Sequence, residues 1–280
     1  MKVLVTGAKG QLGYDVVKEG EKRGLTMVGC DIDDFDLRNQ GAVAAFVRAA
    51  APDAVIHCAA YTAVDQAERE QELCYDVNVN GTKYVASVAA EVGAKLIYIS
   101  TDYVFDGMGN SPHKVTEAKA PVNYYGLTKS LGEDAVASLL NRYFIVRISW
   151  VFGNNGNNFV KTMLRLGKER EEFSVVSDQI GAPTYTTDLA SLLLDMVITE
   201  KYGVYHAANG GFCSWYDFAV KIMELSGLTV KVKPILTKDY PTAAKRPLNS
   251  RLDQNKLTEN GFSILPPWED ALKRYLSHDA

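Results

Sequence analysis

Tyr125 and Lys129 stand four residues apart in a stretch expected to be helical, so their side chains share one face of the helix. An ammonium group beside a phenol favours the phenolate, and the pair is therefore predicted to lower the pKa of Tyr125 from about 10. Ser100 and Thr101 end the preceding apolar run, where open α/β sheets bind their ligands. These residues suit one chemistry. Tyr125 protonates a carbonyl oxygen that is becoming an alkoxide, and the Thr101 hydroxyl hydrogen-bonds the same oxygen.

The tyrosine–lysine spacing by itself is weak evidence. It occurs again at Tyr14 and Lys18, and chance alone is expected to produce it about once in a chain of this composition. Tyr14 and Lys18 are predicted to be surface residues of the first helix. An isolated pair of this kind is more often one buried tyrosine and one solvated lysine. The position of Tyr125 shortly after Thr101 is what favours chemistry at the second pair.

A glycine-rich turn, GAKGQLG, directly follows the predicted strand Lys2–Thr6 and opens a predicted helix. Glycines here permit a tight turn, let backbone N–H groups approach a pyrophosphate and let the helix pack closely on the strand. A plain strand-to-helix turn is the alternative. The context favours a dinucleotide site. Its predicted residues are Gly7, Gly10, Gln11, Leu12 and Gly13.

Asp31 follows the second predicted strand and lies 18 residues beyond Gly13. A carboxylate at this place can accept hydrogen bonds from the adenosine ribose and repels a 2′-phosphate, which favours NADH over NADPH. Arg38 is the nearby cation that could offset this repulsion, so both cofactors stay open. With a reduced nicotinamide as the hydride source, Tyr125 and Lys129 are also predicted to bind the cofactor, with Lys129 reaching the nicotinamide ribose.

The composition is that of an ordinary globular chain, with 280 residues, 47% hydrophobic and 23% charged. The balance of 30 Lys+Arg against 34 Asp+Glu leaves a net charge of −4, which lacks the positive field that nucleic acid or an anionic membrane requires. A small molecule is the predicted partner. Residues 228–256 hold seven bases against two acids and form either a solvated face or a site for a small anion.

The cysteines and histidines show no metal-ligand spacing, and no metal site is predicted. His57 and His206 are interpreted as core residues at strand ends. The cysteines, predicted to be reduced, are Cys30, Cys58, Cys74 and Cys213. The first residues run directly into a strand-and-turn pattern instead of a signal peptide, and no apolar run is long enough to cross a membrane. The cytoplasm is the predicted compartment.

The first 150 residues alternate short apolar runs with longer helical stretches, which is typical of a parallel sheet wound by crossover helices. The predicted strands are Lys2–Thr6, Thr26–Cys30, Ala54–His57, Lys95–Ser100 and Tyr143–Ile148. The predicted helices are Gln11–Arg23, Gln40–Ala50, Glu68–Val92 and Tyr125–Asn141. The pattern predicts an α/β fold with a Rossmann-like doubly wound parallel sheet.

After Trp150 the regular alternation of strands and helices ends, beginning with the run GNNGNN at 153–158. Helices are predicted at Phe159–Arg170, Thr187–Ile198, Trp215–Ser226 and about Pro267–Leu276, with strands at Val204–Ala207 and Lys231–Ile235. We predict that residues 1–150 form a dinucleotide-binding domain that residues 185–207 rejoin. Residues 151–280 then mainly form a smaller, discontinuous C-terminal α/β domain that binds the substrate.

Several stretches resemble the extended short-chain dehydrogenase/reductase superfamily and, within it, the dTDP-4-dehydrorhamnose reductase family. They include TGAKGQLG (6–13), STDYVFDG (100–107), YYGLTKSLGE (124–133) and SDQIGAPT (177–184), and they span nearly the whole chain. The resemblance implies NADH- or NADPH-dependent reduction of the 4-keto group of dTDP-4-dehydro-L-rhamnose, which yields dTDP-L-rhamnose for cell-surface polysaccharide. It implies catalytic roles for Thr101, Tyr125 and Lys129. It also places Ala59, Ala60 and Tyr61 near the nicotinamide half of the cofactor.

On the substrate side, the resemblance implies Trp150 beside the sugar ring and Asn158, Phe159 and Arg246 near the nucleotide. Asp102, Thr101 and Tyr125 complete the predicted substrate contacts. An arginine fork suits a diphosphate, and Arg246 lies in the basic stretch. Some family members dimerise through a carboxylate-bound Mg²⁺. Asp15 is the candidate ligand here, but no clear acidic cluster surrounds it, so a monomer and a homodimer both stay open.

Two other functions remain open. Related dehydratases carry Thr-Asp-Glu at this strand end, whereas this chain has Tyr103 in the third position, which disfavours elimination of water. A reductase or epimerase acting on another nucleotide sugar would need the same residues. A non-catalytic regulatory subunit on the same fold could retain them.

Overall fold

The first half of the chain alternates strands and helices, as predicted. The computed structural model describes residues 1–278. In order, the elements are β1 (Lys2–Thr6), α1 (Gln11–Lys22), β2 (Thr26–Cys30), α2 (Gln40–Ala50), β3 (Ala54–His57), α3 (Val64–Ala67), α4 (Gln71–Tyr75), α5 (Thr82–Glu91), β4 (Lys95–Thr101), α6 (Tyr124–Leu139) and β5 (Tyr143–Ile148). A π-helical segment, Asp76–Gly81, joins α4 to α5, and a 3₁₀ turn, Asp102–Val104, follows β4.

The second half has shorter elements. They are β6 (Val151–Phe152), α7 (Phe159–Glu169), β7 (Glu172–Val176), β8 (Ile180–Gly181), β9 (Thr184–Tyr185), α8 (Thr186–Val197), β10 (Gly203–His206), β11 (Asn209–Gly210), β12 (Cys213–Ser214), α9 (Trp215–Leu225), β13 (Lys231–Ile235), β14 (Asn249–Ser250), α10 (Asn255–Glu259), β15 (Leu265–Pro267) and α11 (Trp268–His278). A further 3₁₀ turn lies at Thr237–Asp239.

Six parallel strands form the central sheet in the order β10–β5–β4–β3–β1–β2. Helices α1 and α8 cover one face, and α2, α5 and α6 cover the other. Every residue of β4 is buried, as expected for a strand packed on both faces. The strand order reverses between β1 and β3, which opens a crevice at their carboxyl ends. The predicted doubly wound α/β fold is confirmed.

The part of the chain after β5 has its own apolar core and also returns to the central sheet. Side chains of α7, α9 and α11 pack around Phe152 and Phe173. Small sheets support this core, among them β12–β8–β14 and β13–β7. Strand β10 pairs in parallel with β5 at the edge of the central sheet. The division into cofactor and substrate domains stays a prediction.

The predicted single helix Glu68–Val92 is wrong in its interior. The chain is helical from Gln71 to Glu91, but it changes to a π-helix over Asp76–Gly81. Periodicity does not reveal such an insertion because the apolar residues on both sides still repeat at helical spacing. Asn78 lies in this π-helical segment and points into the protein, where it is 1% exposed.

Candidate active site

One cavity of about 840 Å³ lies at the carboxyl ends of the central strands. Each strand from β1 to β5 contributes the residues that directly follow or end it, such as Gly7, Asp31 and Thr101. This is the place where doubly wound sheets bind ligands. The predicted site residues that line it are Gly7, Gly10, Gln11, Leu12, Gly13, Asp31, Ala59, Ala60, Tyr61, Thr101, Asp102, Tyr125, Lys129, Trp150 and Asn158.

The glycine-rich turn brings the start of α1 close to the end of β1. Gly7 has φ +68°, and its carbonyl accepts a hydrogen bond of 2.9 Å from the Gly10 N–H. A Cβ atom on Gly13 would lie 2.1 Å from the Gly7 carbonyl oxygen, so only glycine fits there. The residues at the start of α1 line the cavity, and no side chain in the described part of the chain caps the helix N-terminus, which is an arrangement that can accept a pyrophosphate.

Replacement of Gly13 by alanine is expected to weaken cofactor binding by at least about tenfold, because the turn must move away from the added methyl group. The measurement is a fluorescence titration of NADPH against the folded variant. Gly41→Ala in α2 is the matched control, since a Cβ atom there meets nothing closer than 3.5 Å. Equal NADPH affinity in the Gly13 variant and the wild type would contradict this role of the turn.

Asp31 is fixed at the end of β2 by two backbone donors. The Lys9 N–H donates to Oδ2 at 2.8 Å and the Ile32 N–H donates to Oδ1 at 2.8 Å. The Lys9 ammonium is paired with Asp33, and the Arg38 guanidinium is paired with Asp36. Arg38 is thus committed to another carboxylate and does not line the cavity. This charge arrangement agrees with the predicted preference for NADH, which stays a prediction.

The start of α6 packs unusually close to the 3₁₀ turn that follows Thr101. The Asn123 side chain caps the helix by accepting a hydrogen bond of 2.8 Å from the Gly126 N–H. A Cβ atom on Gly126 would lie 2.2 Å from the Tyr103 carbonyl oxygen. Glycine at this position therefore lets the first turn of α6 bring Tyr125 to the end of β4, where Thr101 and Asp102 lie.

The predicted lowering of the Tyr125 pKa is wrong. Burial raises the pKa of the Tyr125 phenol above its usual value, and the nearby Asp102 carboxylate adds to the rise. Lys129 does not counteract this, because its ammonium lies over the Tyr98 ring, 4.1 Å from the ring centroid. Tyr125 is consequently protonated at neutral pH. That is the form that can donate a proton.

Lys129 is almost completely buried on the same face of α6. Burial lowers the pKa of its ammonium to about 7, and the negative charge of Glu133, one turn further along α6, opposes the decrease. Glu133 is also buried and accepts a hydrogen bond of 2.5 Å from the Ser100 hydroxyl. A buried carboxylate therefore lies next to Lys129 on α6, a feature that the sequence does not reveal.

Asp102 is the second carboxylate of interest, being 3% exposed at the cavity wall. Its Oδ1 accepts a hydrogen bond of 3.0 Å from the Thr101 hydroxyl. Its Oδ2 has no hydrogen bond of normal length among residues 1–278. The nearby Ser250 side chain partly offsets the rise in the Asp102 pKa that burial causes. Burial raises the pKa of Asp102 to about 6.

The Asp102 pKa predicts a pH-dependent stability difference between the wild type and Asp102→Asn. Between pH 4 and 6 the folded state keeps a proton that the unfolded state releases, so rising pH destabilises the wild type through this window. The variant lacks this titration. Its free energy of unfolding relative to the wild type is expected to increase by about 3 kcal/mol across the window and then to stay level. Urea unfolding at a series of pH values measures this, and a pH-independent difference would contradict it.

Asn78 was not found by the sequence reading, yet it connects two walls of the site. Its side chain accepts a hydrogen bond of 2.8 Å from the Tyr61 N–H and donates one of 3.0 Å to the Thr128 hydroxyl. The loop after β3, which includes Ala59 and Ala60, is thereby joined to α6. The only available signal is the Asn-rich sequence DVNVN, which has no motif of its own.

Two predicted substrate-side residues do not line the cavity. The Phe159 ring packs 4.5 Å from Trp215 in the core of the second half. The Arg246 guanidinium pairs with Asp65 at 2.5 Å and donates a hydrogen bond of 3.0 Å to the Tyr103 hydroxyl. Their contacts with a nucleotide stay predictions. Tyr103 lines the cavity, although the sequence indicates no role for it beyond replacing the glutamate of the dehydratases.

Asp15 holds two helices together in this structure. It is buried, and its Oδ2 accepts hydrogen bonds from the hydroxyls of Thr186 at 2.5 Å and Thr187 at 3.2 Å. Within residues 1–278, no group of three or more His, Cys, Asp or Glu side chains is placed to hold a metal ion. No helix in the same range has the length and apolar character needed to span a membrane.

Comparisons with known proteins agree on one family. The family model described as the RmlD substrate binding domain matches residues 1–280. The chain is 42% identical to the dTDP-4-dehydrorhamnose reductase of Aggregatibacter actinomycetemcomitans, with 97% of each chain covered. It is 40% identical to the spore coat polysaccharide biosynthesis protein SpsK of Bacillus subtilis, over 98% of this chain and 96% of that one. The crystal structure of the Bacillus anthracis dTDP-4-dehydrorhamnose reductase in complex with NADP superposes with a TM-score of 0.97, at 46% identity and 99% coverage of both chains.

Proposed function

The chain belongs to the dTDP-4-dehydrorhamnose reductase family, and on that premise we propose how its own residues carry out the reaction. The protein is an NAD(P)H-dependent oxidoreductase that reduces the 4-keto group of dTDP-4-dehydro-L-rhamnose to give dTDP-L-rhamnose, for cell-surface polysaccharide. One observation carries the assignment of roles. Thr101, Tyr125 and Lys129 line the same cavity as the glycine-rich turn at Gly7 and Gly13.

The cavity fits a nicotinamide dinucleotide. A Cβ atom on Gly13 would fill the cradle at the start of α1, and the carboxylate of Asp31 closes the end of the cavity where an adenosine ribose would lie. The loop at Ala59 and Ala60 lines the wall between that end and Lys129. When bound, the reduced nicotinamide supplies the hydride for C4 of the sugar.

Tyr125 supplies the proton. Its phenol is protonated at neutral pH because burial raises its pKa, so it can donate to the sugar oxygen as that oxygen gains negative charge. Thr101 lies beside it and can donate a hydrogen bond to the same oxygen. Lys129, whose pKa burial lowers to about 7, lies on the same face of α6 as Tyr125 and can reach the nicotinamide ribose.

Trp150, residues that follow it and Asp102 are proposed to hold the sugar nucleotide. Trp150, Asp102 and Asn158 line the cavity; Trp150 and Asp102 are the proposed sugar contacts, and Asn158 is a proposed contact of the nucleotide. Arg246 lies in the basic stretch and is paired with the partly exposed Asp65, a partner for which a diphosphate can compete. Phe159 supports the same wall from behind. Residues 1–150 with residues 185–207 then serve the cofactor.

The test follows nicotinamide absorbance with purified protein, NADH or NADPH, and dTDP-4-dehydro-L-rhamnose. Oxidation that depends on the sugar is expected, and the two cofactors are compared in the same assay. A parallel reaction with the uridine diphosphate sugar separates this activity from that of a reductase on another nucleotide sugar. Bound cofactor without oxidation, together with copurification of a partner enzyme, would indicate a regulatory subunit and contradict the assignment.

A further inference from the structure

Trp150 adopts a backbone conformation that bulky residues rarely adopt. Its φ is +49°, in the left-handed region, at the residue where the chain leaves the central sheet after β5 and enters β6. The Thr184 N–H donates a hydrogen bond of 3.1 Å to the Trp150 carbonyl and fixes the backbone there. Non-glycine residues keep such conformations only where their surroundings hold them, often at ligand sites. Trp150 lines the cavity together with Tyr125 and Thr101.

A second tryptophan holds the Trp150 side chain. The Trp215 ring stacks on the Trp150 ring with a centroid distance of 3.8 Å and an interplanar angle of 15°. The backbone of Gly181 lies against the Trp150 indole, since a Cβ atom on Gly181 would come within 2.8 Å of it. The Trp150 ring is therefore confined by Trp215 and Gly181, while Trp215 itself does not line the cavity.

The position of Trp215 is fixed by the second half of the chain. Trp215 is the first residue of α9, and Ser214 caps that helix through a reciprocal pair of hydrogen bonds with Asp217. Ser214 also belongs to β12, which pairs with β8 at Gly181. The short sheet that contains β8 and β12 therefore positions both Gly181 and Trp215, the two residues that confine the Trp150 ring.

We propose that Trp215 is a positioning residue for sugar-nucleotide binding, which acts by holding the Trp150 ring at the cavity wall. This rests on the proposed function in one respect, namely that Trp150 contacts the sugar. A tryptophan needed only for core packing would not have to stack on a cavity residue, and both rings keep part of their surface exposed. Aromatic pairs in such contact stabilise one another's orientation.

The test measures binding of dTDP-L-rhamnose by calorimetry, which needs no turnover. Trp215→Leu is expected to raise the dissociation constant about tenfold, with NADPH affinity changed less than about twofold. Trp215→Phe keeps a stacking ring and is expected to recover most of the loss. In the Trp150→Leu background, Trp215→Leu is expected to add little, because the group that it positions is gone.

Trp268→Leu is the matched control, since this third tryptophan belongs to the same core but packs 5.6 Å from Phe218, which does not line the cavity. The exciton signal of the stacked pair in circular dichroism is expected to disappear in Trp215→Leu and to persist in Trp268→Leu. Loss of that signal with unchanged dTDP-L-rhamnose affinity would overturn the proposal. A wild-type protein that binds dTDP-L-rhamnose but does not turn over would instead contradict the proposed function. A wild-type protein that does not bind dTDP-L-rhamnose would overturn both the proposed function and the role of Trp215.

Discussion

Tyr125→Phe is expected to lower kcat for sugar reduction by about a thousandfold, because it removes the proton donor. The phenol is the protonated group that the structure places at the end of β4 beside Thr101. Phenylalanine keeps the ring, including its edge-to-face contact with Tyr103 at 5.6 Å, so the fold is expected to survive. NADPH affinity should change by less than about twofold, since Tyr125 is one of many predicted cofactor contacts and the glycine-rich turn and Lys129 are kept.

The measurement compares steady-state kcat with the NADPH dissociation constant in the same preparation. Tyr14→Phe is the matched control, because Tyr14 has the same spacing to a lysine but is 45% exposed on α1. It should leave kcat unchanged. A Tyr125→Phe protein that is folded and turns over at the wild-type rate would show that the proton comes from another group.

Arg147→Met is expected to destabilise the protein by about 3 kcal/mol, because it removes the two-pronged partner of a buried carboxylate and leaves only the Lys119 ammonium, 3.6 Å away, to pair with it among residues 1–278. Arg147 on β5 forms a two-pronged ion pair with Glu133 on α6, with both distances 2.8 Å and both side chains almost completely buried. Glu133 also accepts the hydrogen bond from Ser100 on β4. The pair therefore ties the helix that carries Tyr125 and Lys129 to the strands beneath it.

Urea unfolding measures this effect, and two further variants define its cause. Glu133→Leu with Arg147→Met removes both charges, so it should be less destabilising than Arg147→Met alone. Arg48→Met breaks a similar two-pronged pair with Glu91 that is about half exposed on each side, and it should cost less than about 1 kcal/mol. A double variant as unstable as the single one would show that lost packing, and not an unpaired charge, is the cause.

The sequence predicted the parts of the site whose local pattern dictates their geometry. The glycines at 7, 10 and 13 require a tight turn, and the apolar runs of β1 to β5 require a sheet buried on both faces. Residues at the ends of parallel strands then meet at one edge, which is why Asp31 and Thr101 line one cavity. Helix limits were also predicted to within a few residues for α1, α6 and α8.

Features that depend on contacts between distant residues were not predicted. The sign of the Tyr125 pKa shift depends on burial and on Asp102, neither of which the spacing to Lys129 reveals. Asn78 reaches the site because of a π-helical segment that leaves no trace in the apolar pattern. Trp215 stands 65 residues after Trp150, and only the folded chain stacks the two rings.

The most direct test of the central claim is transfer of a deuteride. The protein is incubated with dTDP-4-dehydro-L-rhamnose and with NADPH that carries deuterium at both hydrogen positions of C4 of the nicotinamide ring, and the product is examined by NMR. The account predicts one deuterium at C4 of dTDP-L-rhamnose, with the label absent when Tyr125→Phe protein is used over the same period. A product without deuterium, or with deuterium at another carbon, would contradict it.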